Sequence, residues 1–145
     1  MKQIETQIII HTRPEKVWAV LMDFSSFPDW NPFIRLIGGG HQAGESLRLT
    51  LKVPDGMEMT IGPQILKAEP NKEFRWKGKL IISGLFDGEH YFKLIDLGDG
   101  RTQFIHGEQF SGILVGLFGG TVAKTKIGFE KMNQALKKRC EEIKN

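Results

Sequence analysis

The sequence predicts an α+β fold in which a curved, seven-stranded antiparallel sheet wraps around one long C-terminal helix, with two short helices after the first strand. Most of the chain alternates apolar and polar residues with the period of a strand. The breaks between these segments are too short for crossover helices, which makes the strands antiparallel neighbours. From residue 121 to 143 the apolar spacing becomes that of a helix. Packing the helix on the sheet buries the apolar faces of both.

The individual elements follow from local patterns. Ile4–Ile10 alternates as a strand, and Pro14 suits the first turn of a helix that ends near Asp23. In the next segment, "FSSFPDWNPFI", Pro28 and Pro32 allow only a single short turn. Six further strands are indicated at Phe33–Ile37, Leu47–Val53, Met57–Ala68, Glu73–Leu80, Glu89–Asp96 and Arg101–Phe110. The apolar face of the last helix consists of Val122, Phe129, Met132, Leu136, Cys140 and Ile143.

Length and composition indicate one domain covering residues 1–145. The net charge of +3 comes from scattered lysines and arginines, which is not the pattern of a nucleic-acid-binding surface. A single cysteine, Cys140, excludes an internal disulfide and a multi-cysteine metal motif. The first ten residues do not resemble a signal peptide. We therefore expect a cytoplasmic protein, monomeric or weakly dimeric, with no metal, cofactor, nucleic-acid partner or stable membrane insertion.

Two stretches carry a resemblance to a known family. The segment "VWAVLMDFSSFPDWNPFI", together with "GEHYFKL" and "GDGRTQFIHGEQFSG", resembles the START-like (SRPBCC, Bet v 1-like) superfamily, in its polyketide cyclase/dehydrase and lipid transport-like branch. The resemblance covers nearly the whole chain. It implies a helix-grip fold that holds a hydrophobic ligand between the sheet and the last helix. Members include lipid carriers, hormone receptors and aromatase/cyclases, so the fold alone does not assign an activity.

One end of the predicted sheet has apolar connections. It collects the corner at Trp30, the turn at Pro54, and the segments Ile81–Gly88 and Gly112–Gly120. Exposed apolar loops usually mark a contact or a lid, so a flexible rim over a cavity entrance is predicted at Leu85, Phe86, Leu114, Leu117 and Phe118. Alternatively, the last of these segments is a first helical turn that packs on the sheet. Phe27 and Trp30 either wall the cavity or plug the core.

Two histidines and a carboxylate share the inner face of the last hairpin. Pairing Phe92 with Phe104 places His90 opposite His106, and Glu108 lies two residues further along. They form either a polar network that orients a ligand's carboxylate or hydroxyl, an acid–base set, or a two-histidine, one-carboxylate metal site. A metal is disfavoured because all three ligands come from one hairpin. A bulge at Gly107 would instead turn Glu108 outward.

We predict that the protein carries a hydrophobic or amphipathic small molecule in an internal cavity. The alternative is a cyclase, aromatase or dehydratase-type enzyme that uses His90, His106 and Glu108 as acid and base. A third reading is a partner-binding module that uses the apolar rim. Inward aromatic side chains that fill the cavity would leave no space for a ligand. The predicted ligand-binding residues are Trp30, Phe33, Leu49, Leu51, Met57, Met59, Phe74, Trp76, Phe86, His90, Phe92, Phe104, His106, Glu108, Phe110, Leu117, Phe118, Phe129 and Met132.

Overall fold

The computed structural model describes residues 2–52, 58–79, 87–111 and 119–142. Within these ranges the chain forms eight strands and three α-helices. Strand β1 (Lys2–Ile10) is followed by two short helices, α1 (Pro14–Met22) and α2 (Phe27–Trp30). A 3₁₀ turn at Phe24–Ser26 lies between the two helices. The remaining elements are β2 Ile34–Gly39, β3 Leu47–Lys52, β4 Glu58–Ile61, β5 Gln64–Glu69, β6 Glu73–Lys79, β7 Asp87–Asp96, β8 Thr102–Ser111 and α3 Gly119–Glu142.

The strands form two antiparallel sheets, which are joined at one place by backbone hydrogen bonds. One has the order β1-β8-β7-β6-β5 and the other β2-β3-β4. Backbone hydrogen bonds join them, from the Leu47 amide to the Pro63 carbonyl and from the Gly44 amide to the Ile65 carbonyl, both 2.8 Å long. Helix α3 packs against β1, β8, α1 and α2. The predicted fold class, a curved antiparallel sheet around a long C-terminal helix, is confirmed.

The predicted number of seven strands is wrong, because the described residues contain eight. The segment Met57–Ala68, predicted as one strand, contains two strands separated by Gly62 and Pro63. Proline cannot donate to a ladder and glycine weakens a strand, so the chain changes partners at this point. Strand β4 pairs with β3, whereas β5 pairs with β6.

Helix α3 confirms the predicted apolar stripe at Phe129, Met132, Leu136 and Cys140, which are all fully buried. The side chains of Val122 and Ile143 lie outside the described residues. Gly128 allows α3 to approach Phe33, because a Cβ atom at this position would lie 2.6 Å from the Phe33 ring. None of the helices in the described ranges is long and apolar enough to cross a membrane.

The proline-containing segment has an irregular but well-bonded path. Phe24 and Phe27 are buried, and their rings contact each other edge to face. At the following corner the side chain of the buried Asn31 accepts hydrogen bonds from the backbone amides of Phe33 (2.9 Å) and Ile34 (2.8 Å). These bonds satisfy two backbone donors at the corner where the chain enters β2.

Tyr91 lies on the outer face of the sheet, opposite Gly107 in the β7–β8 pairing, and is only 1% exposed. Its hydroxyl donates to the Glu5 carboxylate at 2.6 Å and accepts from the Gln3 amide at 2.8 Å. The Arg75 guanidinium covers its ring at 4.6 Å. A Cβ atom on Gly107 would overlap the Tyr91 ring, so this glycine is what lets the ring cross β8.

We expect Gly107→Ala to lower the free energy of unfolding by about 2 kcal/mol, because the methyl group overpacks the site. Besides Tyr91, it would meet the backbone carbonyl oxygen of Ile4 at 2.8 Å, and this oxygen has no rotamer with which to move away. Urea denaturation would measure the change. The matched control is Gly38→Ala in β2, where no atom lies within 4 Å of the added carbon. Equal stability of the two variants would contradict the packing described here.

Candidate functional site

The β7–β8 hairpin brings His90, His106 and Glu108 together, but in a different register from the predicted one. His90 is opposite Glu108, and Phe92 is opposite His106. The predicted pairing of Phe92 with Phe104 is therefore wrong by two residues. The turn sets the register: the Leu97 amide bonds the Arg101 carbonyl, and Gly98 and Gly100 adopt positive φ angles of 91° and 79°. A shift of two residues keeps every side chain on its predicted face.

Strand β8 is regular through Gly107. The pairs with β7 run without interruption from Asp87 opposite Ser111 to Asp96 opposite Thr102. The bulge considered from the sequence is therefore not present, and Glu108 lies on the same face as His106. Its carboxyl oxygen Oε1 is 3.1 Å from Nδ1 of His90.

Five side chains from β1, β7, β8 and α3 form one hydrogen-bonded chain, which we call the polar relay: Thr6, Asn133, His106, His90 and Glu108. Nε2 of His90 is 2.8 Å from Nε2 of His106, whose Nδ1 is 2.9 Å from Oδ1 of Asn133. Nδ2 of Asn133 donates to the Thr6 hydroxyl oxygen at 2.8 Å. The Thr6 hydroxyl donates to the backbone carbonyl of His106 at 2.9 Å.

Aromatic rings enclose the two imidazoles. Trp76 stacks on His90 with ring centroids 4.4 Å apart, and Phe129 stacks on His106 at 4.0 Å. Phe92 contacts both imidazoles edge to face, at 5.2 and 4.9 Å. His90 and His106 are 3% and 0% exposed, whereas the side chain of Glu108 is 17% exposed. Glu108 is therefore the most exposed of the five relay residues.

Burial determines the charge of the relay. It lowers the pKa of His90 to about 3 and, together with the neighbouring His90, holds the pKa of His106 well below its ordinary value. The same loss of solvation raises the pKa of Glu108 to about 8. At neutral pH all three groups are uncharged, so the contact between Glu108 and His90 is a hydrogen bond between neutral groups.

Sequence reasoning missed Thr6 and Asn133 as members of the site. Asn133 lies four residues after Phe129 and three before Leu136, a spacing that places it on the buried stripe of α3. Thr6 alternates with Ile4 and Ile8 on the inner face of β1. A polar residue at a core position of a helix or strand was the available signal, because such a residue needs a buried partner.

Most predicted ligand-binding residues are buried in the core. Those that are buried there are Phe33, Leu49, Phe74, Trp76, His90, Phe92, Phe104, His106, Phe110, Phe129 and Met132. Leu51 and Met59 are opposite each other in β3 and β4 and are partly buried. Met57, Phe86, Leu117 and Phe118, with the rest of the proposed rim at Leu85 and Leu114, lie outside the described residues.

The structure places Trp30 in a separate cleft. This cleft of about 280 Å³ is formed with residues of α1, the 3₁₀ turn and the C-terminal part of α3, including Lys16, Asp23 and Arg139. The Trp30 ring contacts Phe27 at 5.2 Å. The role predicted for Trp30, as part of the wall of a ligand cavity, therefore remains a prediction.

The geometry of the histidine pair differs from that of a chelate. Two nitrogens bound to one zinc ion at about 2.0–2.1 Å are roughly 3.3 Å apart. The 2.8 Å between the histidine nitrogens is the length of a hydrogen bond. Among the described residues, no group of three histidine, cysteine, aspartate or glutamate side chains is arranged to hold a metal ion.

Comparison with known proteins assigns the family. A family model described as polyketide cyclase/dehydrase and lipid transport matches residues 1–141. The chain belongs to this family. The resemblance to the START-like superfamily is thereby confirmed for the polyketide cyclase/dehydrase and lipid transport branch, and the match extends over nearly the full chain. No curated protein sequence matches the chain with statistical significance.

Solved structures share the fold of this polyketide cyclase/dehydrase family member. The Zhui aromatase/cyclase from Streptomyces sp. R1128 is 17% identical, with a TM-score of 0.76 over 97% of this chain and 93% of that chain. A START superfamily protein from Mycobacterium smegmatis is 18% identical, with a TM-score of 0.76 over 98% and 99%. TTHA0849 from Thermus thermophilus is 16% identical, with a TM-score of 0.74 over 97% of each chain. Similarity at these identities establishes the common fold.

The relay predicts how stability changes with pH. Glu108 holds its proton more tightly in the folded state, with a pKa of about 8 against an ordinary 4.5, so its contribution is full at low pH and falls as pH approaches 8. His90, with its pKa lowered from 6.5 to about 3, contributes the opposite change, a rise between pH 3 and 6.5. The free energy of unfolding should therefore decrease above pH 6.5, by about 1–2 kcal/mol up to pH 8.

Urea denaturation of the wild type and of Glu108→Gln at pH 6.5 and 8 tests this expectation. Glutamine donates to His90 as the protonated acid does but does not titrate, so the decrease should disappear in this variant. Glu130→Gln, which changes an exposed carboxylate on α3, should keep the wild-type pH dependence. A wild-type protein whose stability is unchanged over this range would show that Glu108 is ionised.

Proposed function

We propose that the protein binds a hydrophobic or amphipathic small molecule, such as a lipid or a polyketide-like or aromatic compound, between the sheet and α3. The family supports a ligand-binding role. The observation that carries the proposal is the polar relay, which ends in the partly exposed side chain of Glu108 on an inner face that is otherwise mostly aromatic. Ligand sites typically combine an apolar lining with a few placed polar groups.

The inner face has two differently packed parts. Towards one end the rings of Phe92 and Phe104 contact each other, with centroids 5.6 Å apart. The Phe74 ring there contacts Trp18 at 6.2 Å and Phe24 at 6.3 Å. This part is core. Towards the other end one layer consists of Trp76, His90 and Glu108. Beyond it, the next row of the sheet contains Gly78, Gly88 and the buried Phe110, and the Glu108 carboxyl group packs over Gly88.

The bonding of the relay favours binding over catalysis. Both nitrogens of each histidine already have partners inside the relay. Glu108 Oε2 has no hydrogen-bond partner among the described residues, and it packs over Gly88, where a Cβ atom would overlap it. A ligand would therefore meet a single fixed polar atom, which suits the orientation of a head group.

Native purification followed by denaturation and mass spectrometry tests the proposal. We expect a recurrent small molecule at close to one equivalent, and binding of the neutral fluorescent probe N-phenyl-1-naphthylamine after its removal. Gly88→Ala places a methyl group against Glu108 Oε2 and forces the carboxyl group to move, which should weaken probe binding about tenfold, or about 1.4 kcal/mol. Gly38→Ala is the control and should bind as the wild type. A protein that is empty and does not bind the probe would contradict the proposal and indicate a filled core.

A second candidate function, a cyclase, aromatase or dehydratase-type enzyme, has one specific observation in its favour. Glu108, with a pKa of about 8, is able to give and take a proton near neutral pH and is hydrogen-bonded to a histidine. With the extracted compound identified, His90→Gln and His106→Gln, alone and together, separate the two functions. An enzyme loses turnover far more than affinity, whereas a carrier shows only changed affinity. Unchanged affinity and turnover would contradict both uses of the relay.

A further inference from the structure

The contacts of Thr6 determine where the hydrogens of the polar relay lie. Its hydroxyl oxygen is 2.9 Å from the carbonyl oxygen of His106 and 2.8 Å from Nδ2 of Asn133. A carbonyl oxygen only accepts, so the single hydroxyl hydrogen of Thr6 must point to it. The hydroxyl oxygen then accepts from Asn133, which orients the amide with its NH₂ group towards Thr6.

This orientation propagates along the relay. Oδ1 of Asn133 faces Nδ1 of His106, which must therefore carry a hydrogen. A neutral His106 then has an acceptor at Nε2, so Nε2 of His90 carries the hydrogen between the two rings. Nδ1 of His90 is left as an acceptor, 3.1 Å from Oε1 of Glu108. Burial keeps His90 neutral, so Nδ1 carries no hydrogen of its own and the hydrogen in this last bond comes from a protonated Glu108.

The reverse direction conflicts with the geometry. Rotating the Asn133 amide would reverse every donor and end in an ionised Glu108. It would also require Thr6 to donate to Asn133, leaving the Thr6 oxygen against the His106 carbonyl at 2.9 Å with no hydrogen between two acceptors. The charged carboxylate would be mostly withdrawn from water beside two neutral histidines, which offer it no positive charge.

We propose that the site selects a ligand whose polar group donates a hydrogen bond, a phenolic or alcoholic hydroxyl, and discriminates against a carboxylate at the same place. The hydrogen of Glu108 is committed to His90, so the carboxyl group presents Oε2 as an acceptor. A hydroxyl satisfies this oxygen, an ether does not, and a carboxylate places its own lone pairs against it. Thr6 and Asn133 act as positioning residues. The proposal rests on the proposed ligand-binding function.

The direction of the relay is testable without a ligand. In protein labelled with ¹⁵N at histidine, nuclear magnetic resonance at neutral pH should show His106 with its hydrogen on Nδ1 and His90 with its hydrogen on Nε2. Thr6→Val removes the hydrogen that orients Asn133 and should give mixed tautomers, whereas Thr60→Val, on an exposed part of β4, should not. The opposite tautomers in the wild type would overturn the inference.

The ligand preference is testable with three probes that share one ring system: 2-naphthol, 2-methoxynaphthalene and 2-naphthoate. In equilibrium dialysis at neutral pH we expect 2-naphthol to bind about tenfold more tightly than 2-methoxynaphthalene, as for one added hydrogen bond. The carboxylate should bind more weakly than both. Glu108→Leu should abolish the preference for the hydroxyl, and Glu130→Leu, on the exposed face of α3, should retain it.

The outcomes separate this inference from the proposed function. Equal binding of 2-naphthol and 2-methoxynaphthalene by the wild type, or tighter binding of 2-naphthoate, would overturn the hydroxyl preference and leave the ligand-binding function standing. A preference that persists in Glu108→Leu would overturn the role of Glu108. Failure of all three probes to bind would overturn both proposals.

Discussion

The burial of two neutral histidines against α3 is the constraint on which the inner face depends. An imidazole withdrawn from water is stable only when both of its nitrogens have partners, and here those partners come from different parts of the chain. Asn133 of α3 satisfies His106, and Glu108 of β8 satisfies His90. The same bonds fasten the helix to the sheet, so the polar relay is part of the core and also reaches the partly exposed side chain of Glu108.

Glycines give this arrangement its space on both faces of the hairpin. Gly88 leaves room for the Glu108 carboxyl group on the inner face, and Gly107 leaves room for the Tyr91 ring on the outer face. Arg75 and Glu5 complete the outer contacts of Tyr91. Strand β8 is therefore held from both sides at the point where His106 and Glu108 project, which gives their side chains a defined position.

The electrostatics of the site follow from enclosure more than from neighbouring charges. Trp76 and Phe129 cover the imidazoles and remove the water that would stabilise their charged forms. A carboxyl group next to such neutral rings keeps its proton, and its hydrogen bond to His90 then has a fixed direction. A direction imposed by Thr6 on β1 thus reaches Glu108 through three intervening side chains, and it defines what the open oxygen can recognise.

Periodicity alone determined most of the fold, because alternation in a strand and the stripe of a helix are local consequences of burying one face. It also placed His90, His106 and Glu108 on the inner face. The tertiary structure decided what depends on distant residues or on turn geometry. Gly62 and Pro63 divided one predicted strand, and the turn at Gly98 and Gly100 moved the hairpin register by two residues. Thr6 and Asn133, 127 positions apart, meet only in the folded chain, where one hydroxyl hydrogen orients the whole relay.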